Sequence, residues 1–189
     1  MRIFFSTLHA IQSFTLQLKN IVCPHCHQLS MVSHGFIFRK CQLAFPQKVG
    51  KRILCSNRFS NNGCGRTFQL YIASFIRYWR FNAFHLCTFL ALLASNIPIH
   101  LAYSQACQSF SQRNAFRWLH RLLFAFSNSK ALLPQELLLP TINNSKHLTQ
   151  HFKSQRLLLI ICSFQLFIQA WGPHFISTFQ LQFQRHFFA

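Results

Sequence analysis

The chain has 189 residues, 51% of them hydrophobic, and sets 19 Lys and Arg residues against one acidic residue, Glu136, for a formal net charge of +18. Two-metal phosphoryl transfer, paired-acid glycoside hydrolysis and three-carboxylate recombination are excluded, because each of these mechanisms needs several carboxylates. The positive field favours a polyanionic partner, with nucleic acid as the first expectation and an anionic membrane surface as the second.

Residues 1–20 are predicted to form an N-terminal segment that precedes the first motif. Residues 3–18 are largely apolar but are interrupted by Ser6, His9 and Gln12. No small-residue cleavage site follows, so we expect no secretory signal. Disulfide bonds are accordingly not expected, because they persist mainly in oxidising compartments.

Four cysteines follow in a pattern typical of a zinc ribbon, which we place at residues 21–70. Cys23-Pro24-His25-Cys26 is a Cys-x2-Cys knuckle, and Cys55 and Cys64 lie after a stretch long enough for a hairpin. Four thiolates can close a tetrahedral Zn²⁺ site that leaves no position open for water. The sequence therefore predicts one structural zinc ion that holds together a small unit with little core of its own.

The second cysteine pair has unusual spacing, since eight residues separate Cys55 from Cys64, where two to four are usual. We prefer this pair because Gly63 and Gly65 bracket Cys64, and a knuckle needs small residues where the backbone turns toward the sulfur. Ordinary buried thiols are the alternative interpretation. Other side chains in the same stretch are competing ligands: His25, His27, His34 and Cys41.

Alternating apolar residues within the ribbon, Val32, Phe36 and Phe38 and then Ile53, predict two short strands. Basic residues crowd this hairpin and its neighbours, Lys48 among them. Any single one of these residues is equally well explained as part of a solvated surface or as a binding residue. The density of the whole group favours contact with phosphates. The candidate DNA-contacting residues of the ribbon are Arg39, Lys40, Lys51, Arg52, Arg58 and Arg66.

Residues 71–127 are predicted to be a helical domain. A helix from Asn82 to Ala94 is followed by a short helix that Pro98 opens and that ends near Ala106. A third helix is expected from about Gln112 to Phe126. Three helices with a short middle one fit a helix-turn-helix unit, whose last helix enters the major groove. The third helix has one apolar stripe: Ala115, Trp118, Leu119, Leu122, Leu123 and Phe126.

Basic side chains at four-residue steps, Arg113, Arg117 and Arg121, form a ridge opposite this stripe, with Asn114 near its start. Asn pairs with adenine and Arg with guanine, so we expect Arg113 and Asn114 at base edges and the other two arginines at phosphates. An amphipathic helix whose arginines only keep it soluble is the alternative. Trp118 lies in the apolar stripe and is interpreted as a core residue.

Residues 21 to about 126 resemble the zinc-ribbon and helix-turn-helix DNA-binding part of transposase-related proteins of bacterial insertion sequences. The resemblance implies binding to duplex DNA in the bacterial cytoplasm. The insertion at 57–63 departs from the family's pattern, and the acidic triad of its catalytic part cannot form here. An accessory or truncated protein that is not an enzyme is therefore implied. The matching residues are Cys23-Pro24-His25-Cys26, Ile53-Leu54-Cys55-Ser56 and Cys64-Gly65-Arg66-Thr67-Phe68-Gln69-Leu70.

Residues 128–156 are predicted to be a linker, and residues 157–189 an apolar, α-helical C-terminal region. The apolar run from Leu157 to Trp171 includes Gln165 and has about 15 residues, whereas a membrane span needs about 20, so we favour a buried helix. Membrane attachment or homodimerisation through this helix are the alternatives, the first of which would make the chain a small basic membrane-attached protein. An unselected tail after about Ser127, left by a decaying gene, is a third explanation.

Overall fold

The computed structural model describes residues 1–39, 46–58, 61–76, 81–108, 111–134 and 155–188. Within these ranges the chain forms one four-stranded mixed sheet and six α-helices. It divides into two compact units. The sheet unit comprises Met1–Arg80 and Gln180–Arg185, and the helical unit comprises Phe81–Phe179 and His186–Ala189.

The sheet unit contains strands β1 (Arg2–Phe5), β2 (Met31–Arg39), β3 (Gln47–Cys55) and β4 (Thr67–Ile72) in the order β1-β4-β3-β2. Strand β1 runs parallel to β4, and the other two pairs are antiparallel. Helix α1 (Leu8–Leu16) packs on one face of the sheet. The two strands predicted within the ribbon are thus confirmed as β2 and β3.

Helix α1 begins where Thr7 caps it, since the Thr7 hydroxyl accepts a hydrogen bond from the Ala10 backbone N–H at 3.1 Å. Ile11, on this helix, is fully buried in one core with Ile53 and Leu70 from the sheet. The sequence prediction set residues 1–20 apart, whereas in the structure they supply β1 and α1 to the sheet unit. The sheet unit therefore has a hydrophobic core beyond its four clustered cysteines.

The opposite face of the sheet depends on a close approach at Gly50. A Cβ atom there would overlap the Leu70 carbonyl oxygen and lie 3.2 Å from a ring carbon of Tyr71. At the sheet edge, the Gln184 side-chain amide accepts a hydrogen bond from the Phe4 N–H at 2.6 Å and donates one to the Phe4 carbonyl at 3.3 Å. These bonds satisfy backbone groups that an edge strand would otherwise expose.

The helical unit begins with three helices close to their predicted positions: α2 (Ala83–Ala94), α3 (Ile99–Cys107) and α4 (Gln112–Ser129). The Asn82 side chain caps α2, and Pro98 immediately precedes α3. Helix α4 runs beyond the predicted Phe126 and is followed by a short 3-10 turn. Two further helices, α5 (Gln155–Trp171) and α6 (Phe175–Phe183), complete the fold. One short 3-10 turn lies at Leu18–Asn20 in the sheet unit and another at Lys130–Leu132 in the helical unit.

Aromatic rings form much of the core of the helical unit. Trp118 is 7% exposed, and its ring centroid lies 5.2 Å from that of Tyr103, 5.4 Å from that of Phe81 and 5.7 Å from that of Phe89. All three contacts are edge-to-face, the geometry that aromatic quadrupoles prefer. The interpretation of Trp118 as a core residue is confirmed.

Helix α5 contains the apolar run that the sequence placed between Leu157 and Trp171. Its buried side chains include Ile160, Phe164 and Phe167, and Phe126 of α4 packs against Phe167 with ring centroids 4.9 Å apart. Taken singly, none of the helices in the described ranges has the length and hydropathy needed to cross a membrane. Helices α5 and α6 pass that test only as a pair bent by 61°.

Candidate metal centre

The four cysteines that the sequence singled out converge in the sheet unit. Their sulfurs all lie within 4.8 Å of one another. Cys23 Sγ is 3.8 Å from Cys64 Sγ, and Cys26 Sγ is 3.4 Å from Cys55 Sγ. A tetrahedral ion with Zn–S bonds of about 2.3 Å would hold its sulfurs about 3.8 Å apart. The cluster could therefore hold a metal ion.

The first knuckle, Cys23 to Cys26, lies between the 3-10 turn at Leu18–Asn20 and strand β2. The Cys23 N–H donates to the Gln28 carbonyl at 3.0 Å, the His27 N–H donates to the Cys23 carbonyl at 2.9 Å, and the His25 N–H approaches Cys23 Sγ at 3.5 Å. The turn closes through His27, which has a φ of 59°. This left-handed conformation is uncommon for residues other than glycine.

The second knuckle connects the end of β3 to the start of β4. The Gly65 N–H donates to the Cys55 carbonyl at 2.9 Å, and the Cys64 N–H donates to Cys55 Sγ at 3.3 Å. A Cβ atom at Gly63 would overlap the Ser56 carbonyl oxygen and come within 2.7 Å of Cys55 Sγ, and Gly65 has a φ of 72°. Both glycines are thus required for the turn, which explains how two cysteines so far apart in sequence meet.

The sulfurs differ in their readiness to lose a proton. Cys23 and Cys55 are buried, whereas Cys26 and Cys64 are half-buried. A hydrogen bond from the Gln28 backbone N–H lowers the pKa of Cys26 to about 7. Burial raises the pKa of Cys55 to about 12. Without a cation, Cys55 stays a neutral thiol at neutral pH, so a metal ion must displace its proton.

The competing ligands do not join this cluster where the structure describes them. His25, His27 and His34 are exposed and lie outside the group of four sulfurs. Cys41 lies outside the described residues. The helical unit contains further free thiols, and burial raises the pKa of Cys87 and Cys107 to about 12. Neither thiol belongs to the group of four sulfurs.

The basic residues predicted for the ribbon fall into two groups. Arg52, Arg58 and Arg66 are exposed. Arg39 and Lys51 are half-buried: the Arg39 guanidinium lies 5.7 Å from the centre of the Phe75 ring, and the Lys51 ammonium donates to the Thr15 hydroxyl at 3.1 Å. Both therefore add positive charge but have intramolecular contacts as well. Lys40 lies outside the described residues.

One basic surface was missed by the sequence reasoning. Gln69 pairs with Arg2 of β1 on one side and with Arg52 of β3 on the other, and Arg52 pairs with Gly35 of β2. Paired residues on neighbouring strands present their side chains on the same face, so Arg2, Gln69 and Arg52 form a row across the sheet, which we call the basic row. No local pattern indicates it, because Arg2 reaches Gln69 only through the parallel pairing of β1 with β4.

The predicted ridge on α4 lies on the solvent side of that helix. Arg113, Arg117 and Arg121 are exposed, and Asn114 is half-buried. The opposite side is buried through residues that include Ala115, Trp118, Leu122 and Phe126. Sequence reasoning missed the exposure of Phe116 (57%) and Phe124 (62%), which lie on the same side as the arginines. The ridge is therefore basic and aromatic together.

Comparison with known proteins finds no relative for this arrangement. No family model, no curated protein and no solved structure matches the chain. The chemistry of the cysteine cluster and of the basic surfaces therefore rests on the residues themselves.

Proposed function

We propose that the chain is a zinc-stabilised DNA-binding protein, comparable in role to the accessory DNA-binding proteins of bacterial insertion sequences. The observation that carries this proposal is the cluster of four sulfurs, all within 4.8 Å of one another. Four thiolates in tetrahedral order suit zinc or iron, and zinc fits a site whose purpose is structural. With four protein ligands the ion has no position left for water or substrate.

Two basic surfaces support nucleic acid as the partner. The sheet unit presents the basic row together with Arg58 and Arg66, and the helical unit presents the ridge of Arg113, Arg117 and Arg121. Phosphate contacts from exposed arginines supply most of the affinity of DNA-binding proteins. Asn114 and Arg113, at the start of α4, are the side chains proposed to read base edges.

The composition supports a binding role over a catalytic one. Glu136 is the single carboxylate side chain of the chain, so the acidic triad of a transposase cannot be assembled. The burial of Ile160, Phe164 and Phe167 within the helical unit supports packing of α5 over membrane anchoring. We therefore place the chain among accessory proteins that occupy DNA without cutting it.

Metal content tests the first half of the proposal. The full chain, purified without added metal, should contain one zinc ion, and Cys23→Ser should abolish it. Cys162→Ser is the matched control, because this half-buried free thiol lies in the other unit and outside the cluster. Iron in place of zinc, no metal, or equal zinc in the two variants would contradict the proposal.

Salt dependence of duplex binding tests the second half. Arg52→Gln and Arg117→Gln should each weaken binding and reduce the slope of log affinity against log salt concentration by about 1. Lys19→Gln removes one charge from an exposed residue of the sheet unit that is not in the basic row, and it should leave the slope almost unchanged. Equal effects of all three variants would show that binding depends only on the net charge of the protein, and would refute the assigned surfaces.

A further inference from the structure

An open groove in the helical unit is lined by none of the four clustered cysteines and by none of the arginines assigned above to DNA phosphates, although Phe116 beside those arginines lines it. It has a volume of about 360 Å³ and lies between α3, α4 and α5. This volume and an apolar lining are typical of sites that bind small molecules. The apolar side chains that line it are Ile99, Phe116, Leu119, Leu123, Leu157 and Ile160.

Two basic side chains complete the lining of this groove. His120 comes from α4 and Arg156 from the first turn of α5, and both are exposed. The N-terminal turn of a helix adds partial positive charge from its backbone N–H groups. No described residue of the lining carries a negative charge. The groove thus pairs an apolar floor with a positive mouth.

We infer that this groove binds a single-chain amphiphile with an anionic head group, its tail on the apolar floor and its head at Arg156. Burial of an alkyl tail against these side chains supplies the binding free energy in proportion to the area removed from water. Arg156 supplies charge-assisted hydrogen bonds that a carboxylate or a phosphate head accepts equally well. This inference goes beyond the proposed function and does not depend on it.

Head-group selectivity provides the first test. The full-length protein as purified is titrated calorimetrically with dodecanoate, dodecyl phosphate, dodecanol and dodecyltrimethylammonium, each below its micelle concentration. We expect one site per chain for the two anions, with affinity at least about tenfold above that of the alcohol or the cation. A preference for the phosphate would identify a lipid-type head group, and a preference for dodecanoate would identify a fatty acid.

Two pairs of variants locate the site. Arg156→Gln should weaken dodecanoate binding about tenfold, whereas Lys130→Gln, at an exposed residue of the same unit outside the groove, should not. Leu157→Trp fills the groove and should abolish binding, while Leu159→Trp alters a 53% exposed side chain of the same helix and should leave it intact. The idea is refuted if the four head groups bind alike, or if each variant matches its control while circular dichroism shows all four folded.

Discussion

At the scale of single residues, the four sulfurs come together because the backbone of each knuckle can turn sharply. The Cys-x2-Cys pair fixes one knuckle, and the glycines beside Cys64 identified the other despite its long spacing. The left-handed backbone of His27 was not predictable, since glycine is the usual residue where a chain needs a positive φ. That torsion has a measurable consequence for stability.

Replacing His27 by Gly should stabilise the zinc-bound protein. His27 has a φ of 59°, a conformation that costs a residue with a Cβ atom about 1–2 kcal/mol, and glycine loses about 0.5–1 kcal/mol of that gain through its more flexible unfolded state. We expect the free energy of unfolding in denaturant to rise by about 0.5 kcal/mol. The measurement is urea unfolding with zinc in excess.

His25→Gly is the matched control, because His25 lies in the same knuckle, is also exposed and has no positive φ. It should lower stability, since it adds only flexibility to the unfolded chain. Equal changes in both variants would show that the backbone torsion at position 27 carries no strain.

At the scale of elements, prediction succeeded where the start and stop signals lie beside the helix they control. Asn82 caps α2 through its own side chain, and Pro98 cannot continue a helix but readily precedes one, so both boundaries could be placed from sequence. Strand β1 was missed because it is short and its partner is β4, far along the chain. The basic row was missed with it, since Arg2 belongs to β1.

The two knuckles should respond differently to pH, because the pKa of Cys26 is lowered to about 7 and that of Cys55 is raised to about 12. Zinc must displace the Cys55 proton at any physiological pH, but it must displace the Cys26 proton only below about pH 7. Zinc affinity should therefore fall as pH falls. Below about pH 7 zinc must displace one more proton per ion, so each further pH unit should lower its apparent affinity about tenfold more than a pH unit above 7 does.

Competition with a chelator, followed across pH 7, measures this change of slope. Cys162→Ser is the control, because this thiol lies outside the cluster and should leave the curve unchanged. A single constant slope through pH 7 would mean that Cys26 does not titrate there, and that the Gln28 N–H does not stabilise its thiolate.

At the scale of the whole molecule, the charge of +18 acts on folding and binding in opposite ways. Like charges repel within each folded unit and destabilise it, while the same charges attract a polyanion. Pairing with acidic side chains cannot offset this repulsion, because only Glu136 is available. The natural compensation is a bound polyanion, which is the role that the proposed function gives to DNA.

Added salt should therefore stabilise the free protein and weaken its complex with DNA. Raising sodium chloride from about 0.01 M to about 0.1 M shortens the Debye length from about 30 Å to about 10 Å. If screening contributes about 1 kcal/mol, Tm rises by roughly 2–4 °C for a chain of this size. Thermal unfolding in excess zinc measures the stabilisation of the free protein, and duplex titration in the same buffers measures the weakening of the complex.

At low salt, saturating duplex should raise Tm further, because a ligand that binds only the folded state stabilises it. A Tm that falls with salt would show that repulsion among the basic residues does not limit the stability of this fold. A Tm that saturating duplex DNA leaves unchanged would contradict DNA binding by the folded protein.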